Sequence, residues 1–180
     1  LAEESGLILP IGQWVMEGAC NQVKQWSSDP VASQLKVSVN VSSLQFRQDD
    51  FVERVSLLIR ESGIDATRLK LELTETLVLG DIENTIMKML ALRQTGVSFS
   101  MDDFGTGYSS LAYLTRLPLD EIKIDKSFVS SLPGNHNDEI IAQTIISMGQ
   151  SLGLRVVAEG VETEEQRVFL EAHGCHAYQG

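Results

Sequence analysis

Val97-Ser98-Phe99-Ser100-Met101-Asp102-Asp103-Phe104-Gly105-Thr106-Gly107 joins an apolar run, two adjacent carboxylates and a glycine-rich turn. Val97 to Met101 reads as a buried strand. Adjacent residues on a strand point to opposite faces, so a functional pair at 102 and 103 requires the strand to be ending. At the carboxyl end of a strand, a loop can aim both acids at one point. There they repel unless a proton or a cation lies between them, and the pattern predicts a metal site.

Working outward, Gly63-Ile64, Gly96-Val97, Gly153-Leu154 and Gly174-Cys175 each place a glycine and then an apolar residue after a helix-like segment. This is the sequence form of a helix closed by a left-handed glycine. The preceding segments carry helical spacing: Phe51, Val52, Val55, Leu58 and Ile59; Ile82, Ile86, Met89 and Leu90; Ile140, Ile141, Ile145, Met148 and Leu152. An earlier helix is predicted from about Ile11 to Trp26. Short apolar runs lie between the helices: Leu35 to Val41, Leu69 to Leu73, Val97 to Met101, Ile122 to Ile124, Arg155 to Ala158 and Cys175 to Tyr178. Alternating strands and helices imply right-handed βαβ units and a parallel sheet, and the continuous apolarity suits a sheet covered on both faces.

Two α/β architectures compete, an open doubly wound sheet and a (β/α)8 barrel. The polar residues choose between them. Asn40, Glu72 with Glu75, Asp102 with Asp103, Lys123 with Asp125, and Glu159 with Glu162 fall towards the carboxyl ends of five successive strands. An open sheet gathers its site at one switch point, whereas convergence from many strands is the habit of a barrel. A complete barrel takes ~250 residues. These 180 residues offer about six strands, so the expectation is an incomplete TIM-like barrel, one domain over 1–180 cut at both ends.

Asn40, Glu72, Asp102, Asp103 and Glu159 are all oxygen donors, which suit Mg²⁺ or Mn²⁺ and disfavour zinc. A bridging carboxylate, Asp102 or Asp103, would set two ions ~3.5–4 Å apart, the spacing of phosphoester-cleaving sites. Lys123 would orient the attacking hydroxide or neutralise phosphate charge. Taken singly, Glu75, Asp125 and Glu162 read as loop or helix-capping acids, Asn40 as a backbone partner, and Gly105-Thr106-Gly107 as a loop without the Walker lysine. Lys123 within an apolar strand is harder to dismiss, because lysine is almost never buried unpaired. His136, His173 and His176 fall in loops or helix ends and receive no role.

The net charge of -11 argues against a nucleic-acid polymer or an anionic membrane as partner, but leaves room for a small phosphate ligand held through cations. Cys20 and Cys175 lack metal-ligand spacing and read as reduced thiols of a cytoplasmic protein. No apolar run approaches the ~20 residues that span a bilayer.

The chain resembles the EAL domain of bacterial cyclic-di-GMP phosphodiesterases. The resemblance rests on Leu1-Ala2-Glu3-Glu4-Ser5-Gly6-Leu7-Ile8, Val39-Asn40-Val41-Ser42, Leu71-Glu72-Leu73-Thr74-Glu75 and Asp102-Asp103-Phe104-Gly105-Thr106-Gly107-Tyr108-Ser109-Ser110-Leu111. It continues through Ile122-Lys123-Ile124-Asp125, Ala158-Glu159-Gly160-Val161-Glu162-Thr163 and Tyr178-Gln179-Gly180. It implies a (β/α)8-like barrel with one strand reversed, and metal-dependent hydrolysis of cyclic di-GMP to linear pGpG with Mg²⁺ or Mn²⁺ in bacterial signalling. Asn40, Glu72 and Asp102 would hold one metal, and Asp102 would bridge to a second held by Asp103 and Glu159. Lys123 would contact the hydrolytic water, and Gln179 would lie on the substrate side. Glu75 would brace the loop from Asp103 to Ser109, Thr106 and Gly107 included, which the family uses to couple dimerisation to the metal site. Thr76 stands where serine is commoner. The resemblance further implies a homodimer, fused to sensory or diguanylate-cyclase-like domains, with a membrane anchor, if any, outside this segment. The Glu-Ala-Leu segment that names the family, with its metal-binding Glu and substrate-binding Arg, would precede Leu1, so the fragment alone is expected to be unstable or oligomeric and to have little activity. The competing reading is a degenerate domain acting as a cyclic-di-GMP receptor or a protein-interaction module.

Overall fold

A computed structural model of the chain describes residues 1–107 and 111–180. Tyr108, Ser109 and Ser110 of the motif lie outside the described residues. In chain order the elements are α1 (Ile8–Trp26), β1 (Val37–Val41), α2 (Ser43–Arg47), α3 (Phe51–Ser62), β2 (Leu69–Thr74), α4 (Glu75–Gly80), α5 (Ile82–Arg93), β3 (Ser98–Phe104), α6 (Leu111–Leu114), β4 (Glu121–Ile124), α7 (Lys126–Val129), α8 (His136–Ser151), β5 (Arg155–Glu159), α9 (Glu164–Ala172) and β6 (Ala177–Gln179). The sheet order is β1-β2-β3-β4-β5-β6, and every described pairing is parallel. A doubly wound sheet reverses its order at a switch point, and a (β/α) barrel does not. The fold class is therefore the barrel type expected from the strand ends, with six strands among the described residues.

The chain divides into two compact units, residues 1–73 with 80–99 and residues 74–79 with 100–180. In the first, α1 packs on β1, α2 and α3, and α3 on α5. Apolar positions at helical spacing bury Met16, Cys20 and Val23 of α1 and Val55 and Ile59 of α3. Gly63 closes α3 in the left-handed region at φ 67°, and Gly96, Gly153 and Gly174 also take positive φ, as the glycine punctuation predicts. Two buried cations fasten connectors to this unit. Arg68 donates to the carbonyls of Leu35, Val23 and Ala32 at 3.0, 3.3 and 2.8 Å. Lys88 Nζ donates to the carbonyls of Phe46 and Gln48 at 2.8 and 2.7 Å, satisfying carbonyls that the end of α2 leaves unpaired.

In the second unit, β4 pairs with β5 and β5 with β6, α8 covers β4 and β5, and α7 packs on α8. Capping follows sequence chemistry: Asp125 starts α7, Asn135 starts α8, and Thr163 with Gln166 forms a capping box at α9. Gly149 lets α8 approach the sheet. A Cβ there would stand 2.4 Å from Val156 Cγ2 and 3.1 Å from Ile122 Cδ1. Gly149→Ala is expected to destabilise the fold by about 1–3 kcal/mol through overpacking, read as a lower Tm. An unchanged Tm would show that α8 stands off the sheet.

Candidate active site

Strand β3 places both carboxylates within the ladder and not beyond its end. Ser100 pairs with Glu121 and Met101 with Ile122, but the next paired residue, Phe104, faces Ile124. Asp102 and Asp103 therefore occupy the span that Lys123 alone fills on β4. This is a bulge, and Asp103 adopts φ 54°, the left-handed region that aspartate tolerates better than most side chains. Contrary to the expectation from sequence, the strand does not end at the acid pair: it continues to Phe104, and a local break in its alternation frees the two side chains.

The neighbouring strands bring partners by register. Lys123 is a buried residue of β4, and its Nζ lies 3.0 Å from Asp102 Oδ1 and 2.5 Å from Glu159 Oε1. Glu159 ends β5 opposite Gln179 of β6, and Gln179 Nε2 donates to Glu159 Oε1 at 2.7 Å. Asp102 Oδ1 also accepts from Asp103 N at 3.2 Å. One level earlier in the strands, buried Ser100 donates to Glu121 at 3.1 Å, a second polar contact between β3 and β4.

One carboxylate oxygen each from Asp102, Asp103 and Glu159 can be chosen so that all three lie within 4.8 Å of one another. Burial pushes the Asp103 carboxyl above its ordinary value, and the charges of Asp102 and Asp125 add to the rise against Lys123. For Asp125 desolvation works upward as well. Hydrogen bonds from the Ser127 hydroxyl and N–H, then one shared with Asp103, nevertheless carry it below its ordinary value. Three acids whose hard oxygen atoms come this close fit a divalent cation.

Glu75 opens α4 instead of ending a strand. It is buried, and its Oε2 accepts from Gly105 N and Gly107 N, both at 3.2 Å. Its Oε1 has no hydrogen-bond partner among the described residues. Thr106 Oγ1 donates to the Asp103 carbonyl at 2.8 Å. The turn that follows the acid pair is thus tied at both ends, to Asp103 and to Glu75. In the first unit, Asn40 and Glu72 are register partners near the carboxyl ends of β1 and β2. Asn40 is exposed and Glu72 buried.

The sequence reading missed the contact of Asp125 with Asp103, taking Asp125 for a capping acid. It is a cap, accepting from Ser127 N at 2.9 Å, and a neighbour of the site as well. The signal was its spacing, since Asp125 stands two residues beyond Lys123, just past the end of β4.

A parallel sheet with its strands in chain order and acids near their carboxyl ends is a barrel-type scaffold. The EAL domain profile matches residues 1–180, and the chain belongs to that family. It is 42% identical over 180 residues to the bifunctional diguanylate cyclase/cyclic di-GMP phosphodiesterase MucR of Pseudomonas aeruginosa, covering all of this chain and 26% of that protein. It is 43% identical to the cyclic di-GMP phosphodiesterase NbdA of the same organism, again over the whole chain and 23% of that protein. The solved MucR phosphodiesterase in complex with c-di-GMP superposes with a TM-score of 0.96 at 41% identity, over all of this chain and 72% of that one. The chain thus spans about a quarter of the length of these curated relatives.

Proposed function

We propose that this chain is the phosphodiesterase module of a longer signalling protein and hydrolyses cyclic di-GMP to linear pGpG with Mg²⁺ or Mn²⁺. The observation that carries the reading is the meeting of Asp102, Asp103 and Glu159 around Lys123. A divalent ion, when bound, would activate water and neutralise phosphate charge. Asp102, Asp103 and Glu159 would hold it, and Asn40 and Glu72 are proposed as further oxygen ligands. Lys123 would orient the water that attacks phosphorus, and Gln179, beside Glu159, would face the substrate. Glu75 fixes the turn through Gly105 and Gly107. Thr106 and Gly107 lie in the segment proposed to couple a homodimer to the site.

The relatives' greater length supports further domains in the same polypeptide, sensory or diguanylate-cyclase-like. A cytoplasmic location is proposed to go with the buried free thiols Cys20 and Cys175. Among the described residues no helix is long and apolar enough to cross a membrane.

The test is incubation of the full-length protein with cyclic di-GMP and Mn²⁺. Expected are pGpG as product, loss of turnover with EDTA and recovery when Mn²⁺ is restored. Cyclic di-GMP binding without turnover under these conditions would overturn the enzymatic reading in favour of a receptor.

A further inference from the structure

We propose that Lys123 is a built-in counter-ion that competes with the divalent cation for Asp102 and Glu159, and so limits how tightly the site holds metal. The inference rests on the metal reading above and goes beyond the role of Lys123 towards water. Its ammonium already bridges the two carboxylates, at 3.0 Å from Asp102 Oδ1 and 2.5 Å from Glu159 Oε1. Only 6% of the Lys123 side chain is exposed, so solvent screens this charge weakly.

A divalent ion drawn to ligand atoms that gather within 4.8 Å must come against the ammonium. Their repulsion is twice that of two unit charges at the same distance. The oxygens themselves are contested. Glu159 Oε1 accepts from Gln179 as well as from Lys123, and Asp102 Oδ1 from Asp103 N as well as from Lys123. The incoming ion therefore pulls the ammonium off at least one carboxylate. That displacement weakens binding. The opposing effect is that Lys123 holds Asp102 and Glu159 in place. Asp103 N and Gln179 provide that positioning independently, so the electrostatic cost prevails.

The experiment is a calorimetric titration of Mn²⁺ into the full-length protein and its Lys123→Met variant, with an Asp102→Asn variant as the baseline for binding elsewhere. Loss of Lys123 is expected to tighten Mn²⁺ binding by at least about 5-fold, and to enlarge the rise in Tm that Mn²⁺ produces, while hydrolysis falls. Lys123→Gln, which keeps a polar head, serves the same purpose should the methionine variant fail to fold. A crystal structure of the unmodified protein with Mn²⁺ needs no variant. There Lys123 Nζ is expected beyond ~4 Å, the limit of an ion pair, from Asp102 Oδ1 or Glu159 Oε1. Unchanged or weaker binding in the Lys123 variants, or both contacts kept beside bound Mn²⁺, would overturn the proposal while leaving the metal site standing. No Mn²⁺ binding by any form would sink the metal reading and this inference together.

Discussion

Asp102→Ala in the full-length protein is expected to lower hydrolysis of cyclic di-GMP by more than ~100-fold, beyond the ~10–100-fold that outer-shell partners of a metal are worth. Asp102 is the carboxylate that touches most of the site: its Oδ1 meets Lys123 Nζ and Asp103 N, and its ligand atoms gather with those of Asp103 and Glu159. Truncation removes a negative charge from the proposed cation site. It leaves Lys123 paired with Glu159, so the fold loses only part of the about 3–5 kcal/mol that stranding a buried charge costs. Asp102→Asn separates the two effects, because it keeps the acceptor oxygen and discards the charge. Both variants should fold, with similar Tm for the asparagine form, and both should be inactive and bind Mn²⁺ weakly. Turnover retained in either one would refute the assignment of Asp102 as a ligand.

The second large effect is expected at Glu75, which touches none of the proposed ligands through a described hydrogen bond. Its carboxylate accepts from Gly105 N and Gly107 N, two N–H groups in the turn just after Asp103. Glu75→Ala strands these groups, at about 1–3 kcal/mol for each that stays buried. The turn is adapted to this contact. A Cβ at Gly107 would stand 2.6 Å from Glu75 Oε1, and one at Gly105, whose φ is 101°, would stand 2.9 Å from Phe128 Cε2. Without the brace the turn keeps its bonds from Thr106 to the Asp103 carbonyl but loses its tie to α4. The expected result is a fall in turnover of at least ~10-fold with weaker Mn²⁺ affinity. Glu75→Gln, which keeps an acceptor for the two N–H groups, should restore most of the turnover. Full activity in Glu75→Ala would show that the turn is held by other means.

The residues proposed for the site stand out in the sequence because each lies in or near the end of an apolar run, where a charge is conspicuous. Lys123 in Ile122-Lys123-Ile124 is the clearest case: a buried ammonium requires partners, and the structure supplies Asp102 and Glu159. Register was not legible. That Glu159 faces Gln179, or that Asp102 and Asp103 together face Lys123, depends on strands up to tens of residues apart, and a local pattern holds no information about their alignment. Asp125 shows the same limit: its capping role is local and was read correctly, and its contact with Asp103 is not local. The family resemblance supplied what spacing did not, above all the roles expected of Gln179 and Glu75.

The bulge at Asp102 and Asp103 also makes chain length a functional variable. Removing one residue between Met101 and Phe104 would let β3 pair with β4 without interruption, and an even ladder is the arrangement the sheet itself prefers. The repaired strand would carry a single acid to the site where two now stand. Most single-residue deletions harm a protein by disturbing its fold; at this position the damage would come from regularity, and the acid pair persists because its strand is one residue too long.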